Sequence, residues 1–238
     1  MDARKEGLPR NPHFAVQAEL QWFSSPLFPK QPHLVRCLSP FFLTCAIYFL
    51  LWIPEDPPSW VGALVKCLPV LCLVGFLRAC SGGCYSCLLQ VALLFSACGD
   101  VFLIWPEAFP YGVAAFTKAQ MLYIWAFGLR PLQLGLLLPV VLASLPFYCL
   151  LRLHLSPDMV LLLTAYTLAL ATMLWRGLAR GGSARWGALL FTISDTVLAC
   201  NTFIQPLPHA RLVVMATYYA AQFLISLSAF QSPRLKTN

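Results

Sequence analysis

The chain has 238 residues, of which 59% are hydrophobic and only 11% are charged, and its mean hydropathy is +0.72. Soluble domains carry about 25% charged residues, so this composition excludes an ordinary soluble protein. The net charge of +7 does not indicate a nucleic-acid partner, because most of the positive side chains lie on one side of a series of long apolar runs, which is typical of the cytoplasmic side of a membrane protein.

Eight apolar runs follow one another along the chain, each long enough to cross a hydrocarbon layer of about 30 Å. They predict an all-α integral membrane protein, a bundle of about eight transmembrane helices. The predicted spans cover residues 34–53, 59–77, 88–105, 111–128, 132–151, 159–175, 184–203 and 209–230. Residues 34–230 then form one membrane domain, between a polar N-terminal tail predicted to be disordered, 1–33, and a short C-terminal tail, 231–238.

Lysine and arginine are distributed unevenly between the two sides of this bundle. Twelve of the 16 lie in the termini and in the loops on the side of the N-terminus, whereas Arg152 and Arg211 lie on the opposite side. Cytoplasmic segments retain positive charge, so both termini are predicted to be cytosolic. The positive charge also favours contact with anionic membrane lipids.

Cysteine and histidine do not predict a metal site or a redox centre. Cys80, Cys84 and Cys87 are predicted to share one cytosolic loop, but their CxxC lacks the second ligand pair of a zinc site and the context of a thioredoxin. Unmodified loop cysteines are favoured over palmitoylated ones. The four histidines lie in the N-terminal tail or at the membrane edge, and the sequence has no GxSxG or HExxH motif.

Four charged residues lie well within predicted spans, at a similar depth where they could meet: Lys66, Asp100, Lys118 and Asp195. A charge inside the hydrocarbon costs at least about 2.5 to 3.5 kcal/mol, so such residues are candidates for function. Two carboxylates in a pocket of low dielectric divide into a protonated and an ionised one, which is an acid and a base. The alternative is two structural ion pairs that hold helices together. For Lys118, a role among these intramembrane charges and extension of its side chain towards the membrane interface are equally good interpretations.

Other polar residues inside or at the edge of spans need hydrogen-bond partners. They complete a cavity around the aspartates or simply join neighbouring helices, and both interpretations stay open. They are Gln120, Tyr123, Ser194, Asn201, Tyr218, Tyr219 and Gln222.

Five segments, in this order and at this spacing, resemble the lysoplasmalogenase family of YhhN-like multi-pass membrane proteins. They are Val65–Pro69, Phe95–Ile104, Ala119–Phe127, Gly187–Asp195 and Tyr218–Ile225. The resemblance covers about residues 35–230 and is greatest to vertebrate liver-type members. One position departs from the family pattern, where Gln120 stands in place of the usual histidine; glutamine can donate a hydrogen bond but cannot exchange a proton.

The resemblance implies hydrolysis of the sn-1 vinyl ether of a lysoplasmalogen, in the membrane of the endoplasmic reticulum. We expect Asp100 and Asp195 to be the catalytic pair of domain 34–230. The supporting or substrate-binding residues would be Lys66, Gln120, Tyr123, Ser194, Asn201, Tyr219 and Gln222. No metal and no cofactor is expected, the partners are the lysophospholipid substrate and membrane lipids, and a homo-oligomer is left open.

Three other functions compete with this one. A proton-coupled transporter or lipid scramblase also uses aspartate and lysine at membrane depth. An intramembrane aspartyl protease is disfavoured, because its GxGD motif would require glycine at Ala97. A receptor or scaffold without catalysis is favoured only if both aspartates prove dispensable.

Overall fold

The computed structural model describes residues 32–54, 57–130 and 132–231. The predicted tails therefore lie almost entirely outside the described residues, as do Glu55 and Asp56. The contacts of the chain divide it after Arg36, and the packing described below concerns the unit that begins at Cys37.

All the regular structure of the described residues is helical, as the apolar runs predict. Eight long helices follow one another: α1 (Pro32–Leu51), α2 (Trp60–Cys80), α3 (Cys84–Phe102), α4 (Phe109–Phe127), α5 (Leu134–Arg152), α6 (Pro157–Arg180), α7 (Gly182–Ala199) and α8 (Ala210–Leu227). A 3₁₀ turn precedes α4, a π-helical turn, Cys200–Ile204, extends α7, and a second 3₁₀ turn follows α8.

Seven of these helices are long and apolar enough to cross a membrane. The helix that is not among the seven is α4, which has 19 residues but carries Lys118, Gln120 and Tyr123 in its second half. Gln120 and Tyr123 are fully buried, because α4 packs between α3 and α6. The predicted multi-pass helical architecture is confirmed. In α4, Gln120 and Tyr123 face the protein interior, whereas Lys118 is exposed.

The ends of the helices follow from local chemistry. The hydroxyl of Ser59 accepts a hydrogen bond from the backbone N–H of Gly62 at 3.0 Å and so begins α2. The turn between α6 and α7 uses Gly181 and Gly182, whose positive φ angles of 78° and 59° favour glycine.

The prediction that three cysteines share one loop was wrong, because the loop between α2 and α3 is only three residues long. Cys80 is the last residue of α2, and Cys84 and Cys87 lie in the first turn of α3.

Small residues allow helices to approach closely around the two aspartates. A Cβ atom at Gly99 would lie 2.5 Å from the ring of Phe116, so glycine next to Asp100 allows α4 to pack directly on α3. At Gly187 of α7, a Cβ atom would lie 2.9 Å from the backbone nitrogen of Ile225 in α8. Such small residues are typical of helix interfaces in membranes.

Candidate active site

A cavity of about 630 Å³ lies among α2 to α8, and both Asp100 and Asp195 line it. This volume is in the range of pockets that bind small molecules, about 300 to 1,000 Å³. Most of the polar lining residues belong to α7, its π-helical extension and α8, with Asp100 from α3 and Lys66 from α2, and much of the remaining wall is apolar. Its larger apolar residues include Leu103, Val113, Phe116, Phe147, Leu151, Leu163, Leu170, Leu174 and Met215. The cavity therefore suits a ligand with a small polar part and a long apolar part.

Each aspartate is held by a tyrosine from another helix. Asp100, near the end of α3, is 3% exposed and accepts a hydrogen bond from the hydroxyl of Tyr218 at 2.7 Å. Asp195, on α7, accepts one from the hydroxyl of Tyr166 on α6 and one from Nε2 of Gln120 at 3.5 Å. The two carboxyl groups also interact electrostatically with each other. The fold thus brings two residues 95 positions apart in the sequence to one cavity, each with its own hydrogen-bond partners.

The two intramembrane lysines have different surroundings. Lys66 is buried on α2, lines the cavity and interacts electrostatically with Asp100, while its backbone carbonyl accepts a hydrogen bond from Tyr219 at 2.7 Å. Lys118 is exposed, and its Nζ lies 5.7 Å from the ring centroid of Phe95. The four charges therefore do not all meet, and Lys118 does not line the cavity.

Within the described part of the chain, no ion pair joins Lys66 or Lys118 to either aspartate, as the alternative interpretation would require. The hydrogen bonds of both carboxylates come from neutral side chains. Among the described residues, no cationic nitrogen lies within 4.0 Å of either one.

Two further predicted residues, Ser194 and Asn201, line the cavity and also stabilise its wall. The hydroxyl of Ser194 donates to the backbone carbonyl of Val214 at 3.0 Å and links α7 to α8. Oδ1 of Asn201 accepts a hydrogen bond from the backbone N–H of Leu207 at 2.9 Å, which closes the connection between these helices. Both are therefore placed at the cavity, with hydrogen bonds that are structural.

The other four predicted residues lie behind the cavity wall and do not line it. Gln120 reaches Asp195 through its amide, as described above, whereas the hydroxyl of Tyr123 donates to Oε1 of Gln222 at 2.7 Å. Tyr219 contacts the backbone of Lys66. These side chains form a buried polar layer that supports the cavity, with Gln120 as its one direct contact to a carboxylate.

Comparison with known proteins identifies the family. The model of the YhhN family matches residues 61–229, which is most of the sequence. The chain belongs to the YhhN family. Lysoplasmalogenase TMEM86B of Sus scrofa is 68% identical and that of Homo sapiens 58% identical, each over the full length of both chains. Lysoplasmalogenase TMEM86A of Homo sapiens is 40% identical over 82% of this chain and 89% of its own. No solved structure matches the chain.

In this YhhN family protein, the predicted site residues did not include Tyr166 and Arg211, which both line the cavity. Tyr166 lies in a long apolar run, where a single tyrosine hydroxyl needs a partner, and that need is the signal that could have identified it. Arg211 was counted only as a charge at the membrane edge. Tyr218 was recognised as a polar residue inside a span, but not as the partner of Asp100.

Proposed function

We propose that the protein hydrolyses the sn-1 vinyl ether bond of lysoplasmalogens, releasing a fatty aldehyde and glycerophosphoethanolamine or glycerophosphocholine. The observation that carries this proposal is full-length identity of 57 to 68% to relatives named lysoplasmalogenase. The cavity supports it, because a carboxyl pair and an extended apolar wall match a substrate whose reactive bond joins a polar headgroup to a long hydrocarbon chain.

The chemistry requires an acid and a base at neighbouring positions. One carboxyl group protonates the β carbon of the vinyl ether, which produces an oxocarbenium ion at the carbon attached to oxygen. The other, as a carboxylate, stabilises this cation and orients a water molecule that attacks it. The resulting hemiacetal loses the glycerol oxygen as an alcohol and collapses to the aldehyde, so one water is consumed in each turnover.

Asp100 and Asp195 are the groups that we propose for these two steps. Both line one cavity, they interact with each other, and each carboxyl group keeps one orientation through a tyrosine hydroxyl. We assign the acid and the base to the pair and not to one residue each, because coupled carboxyl groups share their titration. The proposed role of Lys66 is to balance the charge of Asp100.

The membrane arrangement is a further part of the proposal. We propose that all eight long helices cross the membrane, with both termini cytosolic and the protein in the endoplasmic reticulum. The uneven distribution of lysine and arginine supports this orientation. Burial of Gln120 and Tyr123 supports the inclusion of α4 as a span, because neither of these two side chains would face lipid.

Parallel turnover of two lipids tests the function. The purified protein in detergent would receive 1-alkenyl and 1-acyl lysolipids, and both aldehyde and fatty acid would be measured. Release of aldehyde from the alkenyl lipid is the expected result. Transport of either lipid across a reconstituted bilayer without any aldehyde would instead identify a transporter or scramblase.

A further inference from the structure

Arg211 is a second cationic side chain in the wall of the cavity, besides Lys66. It lies in the first turn of α8 and is half-buried. Arg211, Val214, Met215 and Tyr218 all line the cavity, and their spacing of three, four and seven residues places them on one face of the helix. Because Tyr218 binds Asp100, this face runs from the guanidinium group to the carboxyl pair.

Aromatic residues of α1 and of the segment after it hold this guanidinium in place. Its Nε donates a hydrogen bond to the hydroxyl of Tyr48 at 3.2 Å, and its central carbon lies 4.4 Å from the ring centroid of Trp52. The ring packed against the guanidinium and the hydrogen bond at Nε together restrict the orientation of its plane, in which all five N–H donors lie. A guanidinium held in this way can bind two phosphate oxygens with a pair of parallel N–H donors, which is why arginine is common in phosphate sites.

Unusual backbone geometry is concentrated around Arg211. Among the described residues, Trp52 and His209 are the two non-glycine residues with positive φ, at 40° and 57°. The first carries the ring stacked on Arg211, and the second lies two residues before it. A left-handed backbone is unfavourable for such residues and persists where the surrounding structure enforces it, often at ligand clamps. Both strained positions therefore support the placement of this one side chain.

We propose that Arg211, oriented by Trp52 and Tyr48, binds the phosphodiester group of the lysolipid substrate, an assignment that rests on the proposed function. The dimensions agree: seven residues of α8 separate Arg211 from Tyr218, which is about 10 Å. The seven bonds from phosphorus to the vinyl β carbon of the substrate span about 8 to 9 Å when extended. A phosphate on Arg211 therefore places the reactive carbon beside the carboxyl pair.

The charges of the cavity also agree with an anionic ligand. Among the described residues that line it, the charged side chains are Lys66, Arg211, Asp100 and Asp195. With one carboxyl group protonated, as the mechanism requires, these four side chains sum to one positive charge. The phosphodiester supplies one negative charge. Because choline and ethanolamine lipids share this group, Arg211 serves both.

Kinetic measurements on one substrate that carries the phosphodiester and one that lacks it test the proposal. The substrates are 1-alkenyl-glycerophosphoethanolamine and 1-alkenylglycerol, and the variants are Arg211→Gln and the control Arg152→Gln, an exposed arginine in the last turn of α5. We expect Arg211→Gln to raise KM for the phospholipid about 10- to 100-fold and to leave 1-alkenylglycerol unaffected. Equal losses on both substrates, or none, would overturn the proposal. Loss of phosphate discrimination in Lys66→Met but not in Arg211→Gln would also overturn it.

Binding of a lipid that cannot be hydrolysed separates this site from the reaction. Calorimetry with 1-alkyl-glycerophosphoethanolamine should show about 10- to 100-fold weaker binding to Arg211→Gln, and a smaller loss for Arg211→Lys, which keeps the charge but not the fork. Unchanged affinity in both variants would refute the site. If the unmodified protein binds this lipid through Arg211 but releases no aldehyde from the alkenyl analogue, the phosphodiester site is supported and the proposed hydrolysis is refuted.

The same experiment distinguishes a lipid headgroup from a free phosphodiester. Glycerophosphoethanolamine, which has no hydrocarbon chain, should displace the alkyl lysolipid only at much higher concentrations, because the apolar wall contributes to lipid binding. Equally effective displacement by the free compound would assign the site to soluble phosphodiesters and overturn the lipid assignment.

Discussion

The hydroxyl of Tyr218 donates a hydrogen bond of 2.7 Å to Oδ2 of Asp100, across the interface of α8 and α3. Tyr166 makes the equivalent contact with Asp195 from α6. Each carboxyl group is therefore positioned by a residue of another helix. Orientation of an acid or base relative to the reacting atom contributes strongly to rate, so these contacts lead to the first two predictions.

Replacement of either aspartate by asparagine should abolish turnover and leave the fold intact. Asparagine keeps the size of the side chain but cannot exchange a proton, so Asp100→Asn and Asp195→Asn should each lose at least about 100-fold in kcat. The double variant should be little worse than the worse single one, because the pair acts as a unit. Aldehyde release and detergent-stable expression are the measurements. Asp158→Asn, at the exposed start of α6, is the matched control.

Full aldehyde release by either variant would remove that aspartate from the mechanism. If neither variant folds while Asp158→Asn does, the aspartates stabilise helix packing, and the acid–base interpretation loses its support.

Removal of the tyrosine hydroxyls should affect the chemical step more than substrate binding. Tyr218→Phe and Tyr166→Phe keep the ring but lose the donor that orients each carboxyl group, so kcat should fall by about 10-fold with little change in KM. The control is Tyr148→Phe, whose hydroxyl bonds Thr164 at 2.6 Å and does not line the cavity. An equal fall in kcat for Tyr148→Phe would indicate a general effect on helix packing.

Hydrolysis should follow the type of bond. The vinyl ether requires protonation at carbon, whereas an ester requires attack at a carbonyl by a nucleophile. The residues lining the cavity include no cysteine or histidine, and its serines are not paired with a base, so the acyl lysolipid should not be cleaved. Fatty acid and aldehyde measured in parallel test this selectivity. Comparable release of fatty acid would contradict the mechanism, even if the protein is a lipase.

Substitution of Gly187 should separate α7 from α8. Its Cβ would lie 2.9 Å from the backbone nitrogen of Ile225 and 3.0 Å from the carbonyl of Ala221, which only a helix shift can relieve. Gly187→Ala should therefore destabilise the protein by about 1 to 3 kcal/mol. The thermal midpoint in detergent is the measurement. Gly75→Ala is the control, because a Cβ there meets no atom within 4 Å.

Glycosylation mapping tests the predicted orientation. The sequence contains no native N-x-S/T acceptor. Asn11 precedes Pro12, and Asn201 is followed by Thr202 and Phe203. An engineered acceptor with spacers near residues 55–56 should be glycosylated, and one in the loop after Arg180 should not. The opposite pattern would show that the termini are not cytosolic.

The sequence by itself determined the helices of this protein. A bilayer of fixed thickness demands apolar runs of a definite length, so the bounds of the helices could be predicted to within about five residues, as for α1 (34–53 predicted, Pro32–Leu51 observed). The cost of an unpaired charge in hydrocarbon likewise singled out Asp100 and Asp195 without any knowledge of their neighbours.

Only the tertiary structure decided which polar residues face the cavity. In a membrane helix, the sides that face lipid and protein are both apolar, so hydrophobic periodicity does not reveal the orientation of a side chain. The sequence therefore did not reveal that Tyr123 and Gln222 lie behind the cavity wall, or that Tyr166 reaches Asp195. Arg211 is a membrane-edge charge in the sequence, and only the fold places it in the cavity wall, with the ring of Trp52 from a distant segment packed against it.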